Sequence, residues 1–213
     1  MSRRYQQRQR ADQQEQTRRR ITAAAVALHG TVGPAATTIS AIAELAGVQR
    51  ATVYRHFPDD ESLFQACTAH FFATNPPPDP TGWRDVRPAD ARLTRALTEV
   101  YGWYERTEPM LANITRDAEA MPHLVGRGYA ALISRLSEAL LPSVGPIPPQ
   151  LRAAVNHALH FRTWRSLARD QQLAPGEAVE LMTKLASVAA EPAARQRGRR
   201  ERPTTDVDPA RGA

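Results

Sequence analysis

The 213-residue chain is 42% hydrophobic with a formal charge of +6, which excludes a disordered polyelectrolyte and leaves room for one sizeable core or a small domain joined to a larger one. Its single cysteine, Cys67, excludes an intramolecular disulfide, no apolar run reaches the length of a membrane span, and the opening MSRRYQQRQRADQQEQ lacks the apolar core of a signal peptide. The expected location is cytoplasmic. The charge is uneven: nine arginines face six acids in residues 1–75, thirteen bases face twelve acids in 76–190, and six arginines face four acids in 191–213. A neutral body with basic ends suits a protein that meets a polyanion at one place. Only Lys184 among the 28 bases is lysine, so with the abundant alanine the arginine excess is partly the codon usage of a GC-rich genome.

Residues 1–14 are rich in Arg and Gln without apolar periodicity and are expected to form a disordered basic arm. From Gln16 the pattern turns helical, with Ile21, Ala25 and Leu28 on one stripe and Gly30, Gly33 and Pro34 as its stop. Thr38 offers an N-cap to a short helix carrying Ile39, Ile42, Ala43 and Ala46; Gly47 breaks it, and a second short helix runs from about 49 to 57. Pro58 and Asp59 begin a fourth helix whose stripe is Leu63, Phe64, Cys67, His70 and Phe71. The run NPPPDP, residues 75–80, cannot continue a helix, so residues 15–75 form one unit. A second unit, 81–190, shows helical patterns at about 89–106, 108–120, 123–141, 149–170 and 175–190, with no strand signal. Residues 191–213 read as a disordered tail. The expected fold is all-α with about nine helices.

Two short helices joined through a glycine turn form a helix-turn-helix pattern. The first directs its apolar positions to a core; on the second, Val53 and Phe57 lie four apart and face inward. Gln49, Arg50, Thr52, Tyr54, Arg55 and His56 remain on the other faces, every one able to donate a hydrogen bond. Such a helix suits a DNA major groove, its first residues at base edges and later ones at phosphates.

The stretch TTISAIAELAGVQRATVYRHFPDDESLF, residues 37–64, resembles the TetR family of bacterial transcriptional regulators, most specifically in TVYRHF and ESLF. Weaker likeness extends over about residues 16–190, through WYERTEPMLANITRDAEAMP and RTWRSLARDQQLAPGEAVELM. The resemblance implies a three-helix DNA-binding head, a linking fourth helix, and a helical domain for ligand binding and dimerisation. By position it places Gln49, Arg50 and Thr52 at base edges, Tyr54 and His56 on phosphates, Arg55 within reach of either, and Thr38 at a helix N-terminus facing another phosphate. The chain departs from the family pattern at Asp60, flanked by Asp59 and Glu61, where members commonly have a phosphate-facing lysine. Acids there suit the helix dipole and repel DNA; the arm and Arg18, Arg19 and Arg20 are the candidates to compensate.

Other residues have simpler readings. His56 has no neighbouring nucleophile or orienting acid, so no catalysis is expected. His157 and His160 share a helix face without a further ligand cluster, and Cys67 falls on a core stripe as an inert thiol. No metal or cofactor is expected. In the second unit Trp103, Met110, Ile114, Met121, His123, Phe161 and Trp164 are candidates to line a pocket for an apolar or aromatic effector, although packing between helices accounts for many such side chains. Leu181, Leu185 and Val188 are candidates for a homodimer surface. The expected function is a homodimeric repressor that binds a pseudo-palindromic double-stranded operator and is released by a small molecule. A transcriptional activator of the same architecture, a weakly specific architectural DNA-binding protein and a His157/His160 metalloenzyme are the alternatives.

Overall fold

The computed structural model describes residues 3–121, 127–142 and 146–190; the expected tail, 191–213, lies outside the described residues. These form α1 (Arg3–Thr31), α2 (Ile39–Leu45), α3 (Arg50–His56), α4 (Asp60–Thr74), α5 (Ala89–Asp117), α6 (Arg127–Leu140), α7 (Pro149–Leu159), α8 (Phe161–Arg165) and α9 (Pro175–Ala190). Among the described residues there is no strand. The fold is all-helical, with a helix-turn-helix head ahead of a larger helical body.

Three boundaries differ from those read in the sequence. The first helix begins at Arg3 rather than near Gln16, so the described part of the expected arm is helical. Residues 4–16 are exposed, which leaves no apolar stripe to reveal the helix. Arg, Gln and Ala nevertheless have high helix propensity, and Arg19 pairs with Glu15 one turn away at 2.8 Å.

The two helices expected at 89–106 and 108–120 are the single helix α5, with Pro109 inside it. Pro109 removes the bond its own nitrogen would donate and crowds the Glu105 carbonyl, and burial of Leu111, Asn113 and Asp117 beyond it holds the helix together.

Conversely, the helix expected at 149–170 divides at His160, whose backbone is extended (φ −75°, ψ 137°). Tyrosines from other helices occupy the freed backbone groups. The Tyr101 hydroxyl donates to the Ala158 carbonyl at 2.9 Å, Tyr104 donates to the Leu159 carbonyl, and the Phe161 amide donates to the Tyr129 hydroxyl at 2.7 Å. A wider helical turn, Ser166–Asp170, follows α8.

Apolar side chains gather into two cores. The head core contains Ile21, Ala25, Ile42, Ala43, Val53, Phe57, Leu63 and Cys67 from α1 to α4. The body core contains Trp83, Leu97, Trp103, Tyr104, Leu136, Leu159, Phe161, Trp164 and Met182, among others. Helix α1 packs against α2, α4 and α5, while α9 packs against α5 and α7. The opposite side of α9 leaves Leu181, Leu185 and Val188 exposed at 40%, 52% and 52%.

Candidate nucleic-acid interface

The turn between α2 and α3 depends on Gly47, which adopts a left-handed conformation (φ +64°) that a side chain disfavours. The Gly47 amide donates to the Glu44 carbonyl at 3.1 Å and that of Val48 to the Ala43 carbonyl at 2.9 Å, closing α2. At the other end of α2 the Thr38 hydroxyl accepts from the Ala41 amide at 3.1 Å, a standard N-cap. Helix α3 is anchored by Val53, fully buried, and by Phe57, 2% exposed at its C-cap. Gln49, Arg50, Tyr54 and Arg55 are exposed, Thr52 and His56 half-buried, and Thr38 exposed nearby. The side chains read as DNA-facing therefore lie around the outer faces of one small structure. Burial and the positive charge of Arg55 and Arg18 lower the His56 pKa, which keeps its imidazole neutral at pH 7 and able to donate one hydrogen bond.

Arg18 does not stand free beside this surface. Its guanidinium donates to the His56 carbonyl at 2.7 Å and lies 4.1 Å from the centre of the Phe57 ring. It thereby satisfies a carbonyl at the end of α3 and fixes that helix to α1. Arg19 is paired with Glu15. The acids after α3 have a local role: Asp59 caps α4, its Oδ1 accepting from the Ser62 amide at 2.7 Å, with Asp60 and Glu61 in the first turn.

The head is joined to the body by a polar clamp from the end of α5. Asn113 Nδ2 donates to the His29 carbonyl at 3.0 Å, and Arg116 donates to the Val32 carbonyl at 2.9 Å. Asp117 Oδ2 accepts from the Ala35 amide at 3.0 Å, while its Oδ1 receives Arg116 Nε at 2.7 Å. That hydrogen bond from Arg116 holds the Asp117 carboxyl below the usual carboxylate range. Gly33 passes through the clamp at φ +95°, and a Cβ there would lie 2.1 Å from Arg116 Nη2 and 2.5 Å from Asp117 Oδ2.

Beside the clamp, between the two cores, lies a small cleft open to solvent, about 530 Å³ with the space at its mouth included. Val26 and His29 of α1 line it, with Phe64, Cys67, Thr68, Phe71 and Phe72 of α4, Met110, Leu111 and Ile114 of α5, and Gly128 and Tyr129 of α6. Burial pushes the Cys67 thiol up to about 12, so it is a neutral wall. Of the side chains expected around an effector, Met110 and Ile114 line this cleft. Trp103, Phe161 and Trp164 lie in the body core; the Trp103 indole donates to the Asn75 carbonyl at 3.1 Å. Met121 is half-buried away from the cleft, and His123 lies outside the described residues. Of the α4 lining residues, Phe64, Cys67 and Phe71 lie on the apolar stripe read in the sequence, and Thr68 and Phe72 lie off it.

Among the described residues no group of three or more His, Cys, Asp or Glu side chains is placed to hold an ion around His157 and His160 or elsewhere. His157 Nδ1 instead lies 3.4 Å from the Thr163 hydroxyl, and His160 packs edge-on against Tyr129. Among the described residues no helix is long and apolar enough to cross a membrane.

An anchored α3 with a polar outer face, set on a helical body, defines a helix-turn-helix head. Residues 21–67 match the sequence model of the bacterial regulatory proteins of the tetR family. The fold of the chain is shared by a TetR-family transcriptional regulator from Mesorhizobium loti, with a TM-score of 0.56 and 18% identity over 83% of this chain and 96% of that one. One from a Rhodococcus species gives 0.56 and 18% over 83% and 100%. One from Streptomyces coelicolor gives 0.52 and 22% over 82% and 79%. No curated protein matches the chain. Regulators of this family are DNA-binding proteins rather than enzymes.

Proposed function

We propose that the protein is a cytoplasmic homodimeric repressor that binds a pseudo-palindromic operator and leaves it when a small apolar or aromatic molecule occupies the cleft between head and body. The observation that carries the DNA reading is the outer surface of α3. Its apolar residues Val53 and Phe57 are buried, and Gln49, Arg50, Thr52, Tyr54, Arg55 and His56 are left to solvent in whole or part. Gln49, Arg50 and Thr52 read base edges; Tyr54, His56 and Thr38 contact phosphates; Arg55 reaches either. The apolar row Leu181, Leu185 and Val188 on α9 supports pairing with a second copy. The cleft supports the effector reading because α1 of the head and α4 to α6 share its wall.

Selection from random duplex DNA is expected to enrich a palindrome with half-sites about one helical turn, ~34–36 Å, apart. On the selected operator Arg50→Ala should relax base preference at one position, whereas Tyr54→Phe should weaken all sites alike. An unenriched pool would instead favour an architectural DNA-binding protein, and unchanged binding by Tyr54→Phe would remove its phosphate role.

A further inference from the structure

His29 is 6% exposed, and its main-chain carbonyl is already taken by Asn113. Its imidazole has the Phe64 ring as a neighbour, centroids 5.6 Å apart, but among the described residues its ring nitrogens have no hydrogen-bond partner. Burial lowers its pKa to about 4, so at neutral pH the ring offers one donor and one acceptor to the cleft it lines. Among the described residues the fully buried unpaired side-chain atoms are Arg92 Nε and Ser137 Oγ, so the His29 ring keeps access to the cleft it lines, where a ligand hydroxyl can take the place of water as its partner.

The rest of the wall sets the ligand's chemistry. Tyr129 is committed, its hydroxyl shared between the Phe161 amide at 2.7 Å and the Tyr104 hydroxyl at 3.2 Å. The Thr68 hydroxyl makes no hydrogen bond among the described residues and remains available. Phe64, Phe71 and Phe72 supply flat apolar surface. The Asp117 carboxylate is held by Arg116 and the Ala35 amide, and among the described residues no Lys, Arg, Asp or Glu lines the cleft. A carboxylate or ammonium ligand would thus be desolvated without a counter-charge.

The geometry points to an uncharged aromatic molecule bearing a hydroxyl group, packed against Phe64, Phe71 and Phe72 and hydrogen-bonded to the imidazole of His29. The assignment rests on reading the cleft as the effector site, and it adds that the ligand's polar anchor belongs to the first helix of the DNA-binding head. A bound hydroxyl would tie α1 to the α4–α6 wall one residue from Gly30, where the α1 carbonyls enter the Asn113 clamp.

The test titrates phenol, toluene and benzoate into the full-length protein by calorimetry, and into His29→Phe and His29→Gln. Wild type should favour phenol over toluene by about tenfold, since an analogue lacking the hydroxyl leaves the site's polar group unmet, and benzoate should bind more weakly than both. His29→Phe should keep toluene binding and lose the phenol preference, while His29→Gln should retain part of it. Nitrogen-15 shifts of the His29 ring should move with phenol and not with toluene. Equal binding of phenol and toluene, benzoate as the tightest of the three, no binding of any, or an undiminished preference in both variants would each overturn the assignment. Operator binding is read in parallel. Phenol that binds through His29 yet leaves operator affinity unchanged would overturn the effector reading and leave the anchor standing. Loss of operator binding in ligand-free wild type would overturn the regulator reading alone.

Discussion

Asp60 stands in the first turn of α4, where the helix dipole favours an acid, and close in sequence to a surface read as meeting phosphates. Asp60→Lys should forfeit about 0.3–1 kcal/mol of helix stability yet tighten operator binding. If the new ammonium reaches a phosphate, the slope of log K against log salt steepens by about 0.9; fluorescence anisotropy across a salt series measures it. His29 makes a prediction on stability. Its folded pKa lies near 4 against 6.5 for the free side chain, so between these values the unfolded chain binds more protons. Stability is therefore complete above pH 6.5 and falls as the pH drops towards 4, by ~3 kcal/mol from this residue. Chemical denaturation at pH 7 and pH 4.5 should show a smaller difference for His29→Phe than for wild type, a comparison that cancels other groups such as His56 and His160, whose shifts have the same sign. The anchoring of Val53 and Phe57 was legible from their spacing. The roles of Arg18 and His29 were not, because the His56 carbonyl is 38 residues from Arg18 and the cleft around His29 is assembled from four helices.

Among the elements, the short helices of the head were the most legible, since Thr38, Gly47 and Asp59 act through bonds within a few residues. Body helices were less so. Pro109 looked like a boundary and is carried within α5 by burial on its far side, whereas no breaker residue announces the interruption at His160, where tyrosines from α5 and α6 meet the exposed backbone groups. The clamp at the end of α5 is likewise an element-level device. Asn113→Ala strands the buried His29 carbonyl and should lower stability by about 1–3 kcal/mol. If α5 conveys occupancy of the cleft to the head, the same variant should also shrink the change in operator affinity produced by a saturating effector. Thermal melting and anisotropy with and without the effector separate the two effects.

At the scale of the molecule, the apolar row on α9 predicts the assembly. Leu181→Glu combined with Leu185→Glu should leave the helix folded, because both side chains are exposed, while placing charges across any shared face. Sedimentation equilibrium should then report monomers, and affinity for a full palindrome should fall towards that for a half-site. The end of α4 at Thr74 was legible from NPPPDP, with a second helical part beyond it. That the parts meet at a cleft was not, since its wall is assembled from α1, α4, α5 and α6, far apart in the chain.

The grip of Asn113, Arg116 and Asp117 on residues 29–35 also bears on avidity. In a dimer, once one head is seated, the effective concentration of the other at its half-site depends on how narrowly its orientation is distributed. Three hydrogen-bonded contacts, threaded by a Gly33 that leaves no room for a side chain, keep that distribution narrow. A ligand would then not need to drive the heads to a new fixed separation. Broadening their distribution would dilute the second head at its half-site, and binding to a palindrome would weaken much more than binding to an isolated half-site.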